Sequence, residues 1–183
     1  MMKIREYTVN DVIGIEIIYR KAFSGFPWYE DLSIKEVKRR WNIQRLKSGF
    51  KCLVAEIDGQ VVGATWWNSM TIEELNNERG GILGVFPKKF VGCKLIWLRE
   101  TCVSPEFQNL GVGTLLKQDI FIHLSDIGKS TLLLTRMRED NFPIISINKK
   151  LGFQQTGIKV PSSQIVGIFH EYWFKYLLKR RVQ

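Results

Sequence analysis

The chain predicts a single α/β domain over residues 1–183, with a mixed, centrally curved sheet flanked by helices, and three observations carry that expectation. Asp58-Gly59 separates two β-rich runs, Cys52 to Ile57 and Val61 to Trp67, and marks an antiparallel hairpin because glycine tolerates positive φ. A strand at Leu95 to Val103, a helix at Gly111 to Ile127 and a strand at Thr131 to Leu134 follow in an order that implies a parallel crossover. The length, 183 residues of which 45% are hydrophobic and 25% charged, suits one core and a chain able to offset its ordering entropy.

The other elements follow from local start and stop signals. Lys3 to Tyr7 alternates as a short strand. Asn10-Asp11 is placed to cap a helix whose apolar residues Val12, Ile15, Ile18, Ala22 and Phe23 keep helical spacing until Gly25. Ser33-Ile34-Lys35-Glu36 is a capping box, which starts a second helix with Ile34, Val37, Trp41 and Leu46 inward and Lys35, Lys38, Arg39, Arg40 and Arg45 outward. Ser69 to Lys94 is polar, with Gly80-Gly81, Gly84 and Pro87, and its length makes it either functional or partly ordered by a short helix near Ile72 to Asn76. The unbroken Thr131-Leu132-Leu133-Leu134 suits a strand covered on both faces. Asp140-Asn141 caps a helix with Pro143 in its first turn and Gly152 beyond its end, and Phe169 to Leu178 closes the chain as an aromatic strand.

Composition removes several classes of function. No apolar run approaches the roughly 18 residues of a membrane span, and Met1 to Tyr7 leads into charged strand-like sequence with no signal-peptide core, so a cytoplasmic protein without membrane contact is expected. Cys52, Cys93 and Cys102 form neither a CxxC pair nor an even framework, and with two histidines in the chain no metal site is expected. All three read as reduced thiols. Against 18 acidic residues stand 27 basic ones, a net charge of +9, which favours anionic partners such as phosphate-bearing cofactors, acidic proteins or nucleic acid.

The informative stretch runs from Val103 to Thr114, Val-Ser-Pro-Glu-Phe-Gln-Asn-Leu-Gly-Val-Gly-Thr, between the Leu95 strand and the Gly111 helix. Two glycines at a helix mouth allow close backbone approach, and first-turn amides with the helix dipole make an anion cradle suited to a pyrophosphate. Gly111 and Gly113 would also serve simply to ease helix entry, and spacing alone does not separate the two. A dinucleotide fingerprint fails, because Leu116 stands where the third glycine belongs and Thr135-Arg136 where a ribose-binding acid belongs. A Walker loop ending at Gly128-Lys129-Ser130 fails as well, because His123 occupies the place of its first glycine.

Val103-x-Pro105-x-x-Gln108-x-x-Gly111-x-Gly113 after a strand resembles the acetyl-CoA signature of the GNAT superfamily of acyl-CoA-dependent N-acetyltransferases. Asn141 through Leu151-Gly152-Phe153 resembles a second motif of that superfamily, and the order of elements fits from Lys3 to Leu178. The resemblance implies a largely antiparallel central sheet with a splayed strand. It implies acetyl-CoA as acyl donor, with amides of Gln108, Asn109, Leu110, Gly111, Val112, Gly113 and Thr114 on the pyrophosphate, Val103 pairing with the pantetheine arm, and Asn141 as a further contact. The place of the tyrosine that acts as general acid in many relatives, four before Gly152, is held by Asn148. An amide cannot donate that proton, although coenzyme A leaves as a thiolate with little help because a thiol's pKa is about 8.5; Asn148 is expected to hydrogen-bond the sulfur.

Direct transfer needs a neutral amine, whereas a lysine-like amine has a pKa near 10.4 and arrives protonated. In some relatives an acid at or beside Glu100 draws that proton through a water, which makes Glu100 the candidate base; it also reads as a surface or ion-paired glutamate beside Arg99. A main-chain N–H near Val103 would stabilise the oxyanion. His123 and His170 read as structural, and Cys102 as a buried strand thiol. Trp28, Tyr29, Trp66, Trp67 and Trp97 are candidate pocket aromatics.

The expected activity is transfer of an acetyl group to a primary amine of an unidentified small molecule or protein, through a ternary complex. Two other classes stay open: an acyl-CoA-binding sensor without turnover, suggested by Asn148, and a basic domain associated with nucleic acid or ribosomes, suggested by the net charge, although no base-reading module is present. The acceptor and the oligomeric state, a homodimer included, are open.

Overall fold

A computed structural model describes residues 1–79, 92–125, 130–163 and 165–178. Its seven strands are β1 (Met2–Glu6), β2 (Lys51–Ile57), β3 (Gln60–Met70), β4 (Lys94–Val103), β5 (Thr131–Arg138), β6 (Gln154–Pro161) and β7 (Phe169–Leu177). Hydrogen bonding orders them β1-β2-β3-β4-β5-β7-β6. Pairing is antiparallel for β1 with β2, β2 with β3, β5 with β7 and β6 with β7, and parallel for β4 with β5. The helices are α1 (Val12–Ser24), α2 (Ile34–Arg45), α3 (Ile72–Arg79), α4 (Val112–Ser125) and α5 (Phe142–Lys150). Gly80-Gly81, Gly84 and Pro87, and the Gly128-Lys129 dipeptide, lie outside the described residues.

The described chain divides into two compact units, Met1–Trp67 with Arg99–His123, and Asn68–Leu98 with the residues from Leu124 onward. In the first, Asp58 and Gly59 both take positive φ, 49° and 82°, and Ile57 pairs with Gln60. Those are the two central residues that a primed hairpin turn requires. The buried face of α1, Ile15, Ile18, Tyr19 and Phe23, packs with Val37 and Trp41 of α2 against Cys52, Val54 and Trp66. Each large apolar side chain buried in this way contributes about 1.5–3 kcal/mol.

The termini of these helices differ from expectation. Asp11 sits at the head of α1, but its carboxylate turns back to accept from the Thr8 N–H at 2.6 Å and from the Arg5 guanidinium at 2.7 Å. That pairing holds the Asp11 carboxyl down at about 2. At α2, Ser33 accepts from the Glu36 N–H at 3.2 Å, while the Glu36 carboxylate, instead of reaching back, binds Arg39 and Arg40. Half of the box is built, because two guanidiniums on the next turn outcompete a neutral amide for the carboxylate. Leu46, expected inward, is 80% exposed, as it follows the last helical residue, and Ile34 in the first turn is 41% exposed.

Gly63 on β3 sets how closely α4 approaches the strand, since a Cβ there would stand 3.1 Å from Val112 Cγ1 and 3.2 Å from the Cys102 carbonyl oxygen. In the second unit, β4 pairs with β5 only from Lys94–Thr131 to Trp97–Leu134, although β4 runs on to Val103. β5 is buried almost throughout, as its unbroken apolar run requires of a strand with neighbours on both sides. Leu95, Trp97, Leu132, Leu134 and Tyr172 gather into a second apolar cluster. β6 was not expected from the sequence. It is polar and exposed at alternate positions, its register shifts between Gln155 and Lys159, and Gly157 sits there at φ 81°. A polar, bulged strand ending in proline is stable only at a sheet edge.

Candidate active site

The first unit carries the connection from β4 to α4. The Ser104 N–H donates to the Val62 carbonyl at 2.9 Å and the Phe107 N–H to the Ser104 carbonyl at 2.8 Å. Glu106 is held by the Ser104 hydroxyl and, at 2.9 Å, by Lys21. The Gln108 N–H donates to the Pro105 carbonyl at 3.3 Å, so Gln108 is spent in a turn and does not belong to the open amide run. Its side chain donates to the Val103 carbonyl at 3.1 Å.

From Asn109 to Thr114, no main-chain carbonyl among the described residues accepts these N–H groups, and the Leu115 N–H begins the helical ladder on Gly111 at 3.0 Å. Asn109 and Gly111 take φ of 62° and 82°, which turns the chain sharply ahead of α4. A Cβ at Gly111 would meet nothing within 4 Å, so the space over the loop is open. A run of main-chain donors at a helix N-terminus beside open space fits a diphosphate.

A cavity of about 230 Å³ lies in the same unit between α1, α2, β3 and β4. Glu100 lines it, together with Glu16 and Tyr19 of α1, Arg40 and Trp41 of α2, and Trp66 of β3. The Glu100 main chain is anchored by Thr65 Oγ1, which donates to its carbonyl at 2.9 Å. Arg40 is bound to Glu30 at 2.6 Å and to Glu36 at 3.2 Å. Burial, with the Glu100 charge second, holds the Tyr19 proton more tightly than in a free phenol. Glu16 is also raised, by burial, against the opposing charge of Lys38.

The remaining candidates fall elsewhere. Asn141 heads α5 without a side-chain cap bond. Asn148 is fully buried in the second unit and donates from Nδ2 to Met137 Sδ at 3.3 Å. Of the aromatics, Trp66 lines the cavity, whereas Trp28 packs on Phe23, Tyr29 is exposed, Trp67 faces His123 and Trp97 belongs to the second cluster. Cys102 is buried and bonded to the Ala64 carbonyl, and burial pushes its thiol far above the range in which it would act as a nucleophile.

Glu16, Tyr19 and Lys117 were passed over in the sequence. The signal for each is a polar group on an apolar helical stripe: Glu16 beside Ile15, and Lys117 three before Ile120 and seven before Leu124. Lys117 is 3% exposed, and burial pulls its ammonium down to about 7 although the Glu100 charge works in the opposite direction. In the unfolded chain the proton is held to an ordinary value of 10.5. Between about pH 7 and 10 the unfolded state therefore binds more protons, and stability rises with pH. The difference in unfolding free energy, wild type minus Lys117→Met, should grow in favour of the wild type across this window by up to about 1.4 kcal/mol per pH unit. Denaturation curves whose difference is flat with pH would contradict a buried lysine that gives up its proton.

A sheet with one parallel pair, and open amides between the parallel strand and its helix, define an acyl-group transferase fold. The chain belongs to the acetyltransferase (GNAT) family, whose profile matches residues 15–153. It is 23% identical over 163 residues to an N-alpha-acetyltransferase of Sulfurisphaera tokodaii, a match that covers 85% of this chain and 82% of the relative. The ribosomal-protein-alanine N-acetyltransferase from Brucella melitensis superposes with a TM-score of 0.68 at 19% identity, over 96% of this chain and 99% of that one. The ribosomal-protein-S18-alanine N-acetyltransferase from Escherichia coli gives 0.69 at 14% identity, over 100% and 98%. At these identities the structural likeness establishes the fold. Among the described residues, no helix is long and apolar enough to cross a membrane.

Proposed function

We propose that the protein transfers an acetyl group from acetyl-CoA to a primary amine by direct attack within a ternary complex. One observation carries the reading: Glu100 lines a cavity on the strand whose end, at Val103, leads into the open amide run from Asn109 to Thr114. Acetyl-CoA supplies an activated thioester. The amides of the run hold its diphosphate, with the α4 dipole in support, and Val103 offers main chain beside the pantetheine arm. Glu100 takes the proton of the bound ammonium through a water, which frees the lone pair for attack. A thiolate is a good leaving group near neutral pH, so the chemistry does not depend on a tyrosine at position 148.

Release of free thiol from acetyl-CoA on adding amines tests this reading. Saturable release that requires both substrates supports it. A rise in melting temperature with acetyl-CoA, but no thiol from any amine, would instead favour a sensor without turnover.

A further inference from the structure

The chemistry of the cavity restricts the acceptor further than the family does. Its volume of about 230 Å³ exceeds the roughly 150 Å³ known to accept a benzene ring, which leaves room for a ring and a short chain. The walls are largely apolar and aromatic, with Ile15, Val37, Tyr19, Trp41 and Trp66 among them. Two carboxylates, Glu16 and Glu100, face them. Among the described residues that line the cavity, the one cationic side chain is Arg40, and Glu30 and Glu36 already neutralise it. Lys38 acts on Glu16 and Lys117 on Glu100 from outside the lining, so inside the cavity the two carboxylates are the groups an occupant meets, and they attract a cation and repel a carboxylate.

A peptide N-terminus would bring several further amides against walls that are largely apolar and aromatic.

We infer that the cavity is the acceptor site and takes small primary amines with an apolar, ring-sized body and no carboxylate. The inference rests on the acetyl-transfer reading above, and the assay separates the two. Thiol release is measured with acetyl-CoA and three acceptors: phenethylamine, phenylalanine and a short peptide with a free N-terminus. In parallel, quenching of tryptophan fluorescence reports amine binding without acetyl-CoA.

We expect kcat/KM for phenethylamine to exceed that for phenylalanine by about 100-fold, since a like charge placed in such a site costs several kcal/mol. Glu16→Gln should raise KM for phenethylamine about 10-fold, the loss of one charged contact, and leave KM for acetyl-CoA unchanged. Equal rates with phenylalanine, a preference for the peptide, or an unmoved amine KM in Glu16→Gln would overturn the inference while acetyl transfer stands. Saturable quenching by phenethylamine without any thiol release would support the cavity assignment and remove the transferase reading. Neither quenching nor release would remove both.

Discussion

Gly111→Asp is expected to weaken acetyl-CoA binding at least about 100-fold while leaving the fold intact, because its two physical effects act on different partners. Gly111 has φ 82° and open space where a Cβ would project. A non-glycine residue in this conformation costs about 1–2 kcal/mol, and aspartate is among the residues that tolerate it best. A negative charge at the head of α4 is itself favourable to the helix. The same charge stands where the diphosphate would meet the amides from Asn109 to Thr114, and like charges there cost several kcal/mol. Gly111→Ala isolates the backbone effect and should lose only a few-fold. Calorimetric titration with acetyl-CoA, beside a melting curve of each variant, checks both halves; an aspartate variant that binds as the wild type does would refute the diphosphate cradle.

Glu100→Gln should lower kcat at pH 7 by about 100-fold, the scale of a positioned general base, with KM for acetyl-CoA unchanged. The defect should shrink as pH rises toward the amine's own pKa, near 10.4, where the acceptor sheds its proton unaided. The substitution keeps the main-chain carbonyl that accepts from Thr65 at 2.9 Å, so the strand should hold its place. It also removes the charge that works to keep Lys117 protonated, and the melting temperature must be followed alongside the rate. A ratio of wild-type to variant turnover that stays constant with pH would make Glu100 structural.

Much of the fold was legible because it is written in local chemistry. Asp58-Gly59 can hardly form anything but a tight reversal, the Ser33 hydroxyl stands where the Glu36 amide needs an acceptor, and the Leu132 to Leu134 run excludes an exposed strand. The connection from Val103 to Thr114 was legible for the same reason: its glycine and the start of its helix are properties of neighbouring residues. Gln108 was the partial exception, since its amide closes onto Pro105.

What stayed hidden depends on residues far apart in the chain. β6 exists because β7 offers it a partner; its own residues, Gln154, Gln155, Thr156 and Gly157, carry little strand preference. Glu36 is the local exception: it was expected to reach back to the helix start, and Arg39 and Arg40, three and four residues on, take its carboxylate instead.

The sequence by itself determined the helices, the strands other than β6, the turn chemistry and the amide run beyond Gln108, because capping, glycine conformation and apolar periodicity act over a few residues. Only the tertiary structure decided that Glu16, Tyr19, Trp41, Trp66 and Glu100 border one space, and that Lys117 lies deep enough to lose its charge. Those outcomes depend on how far α1, α2, β3 and β4 approach one another. Side chains that face inward reveal a core, whereas a cavity and a shifted proton arise only from the distances at which packing brings the elements to rest.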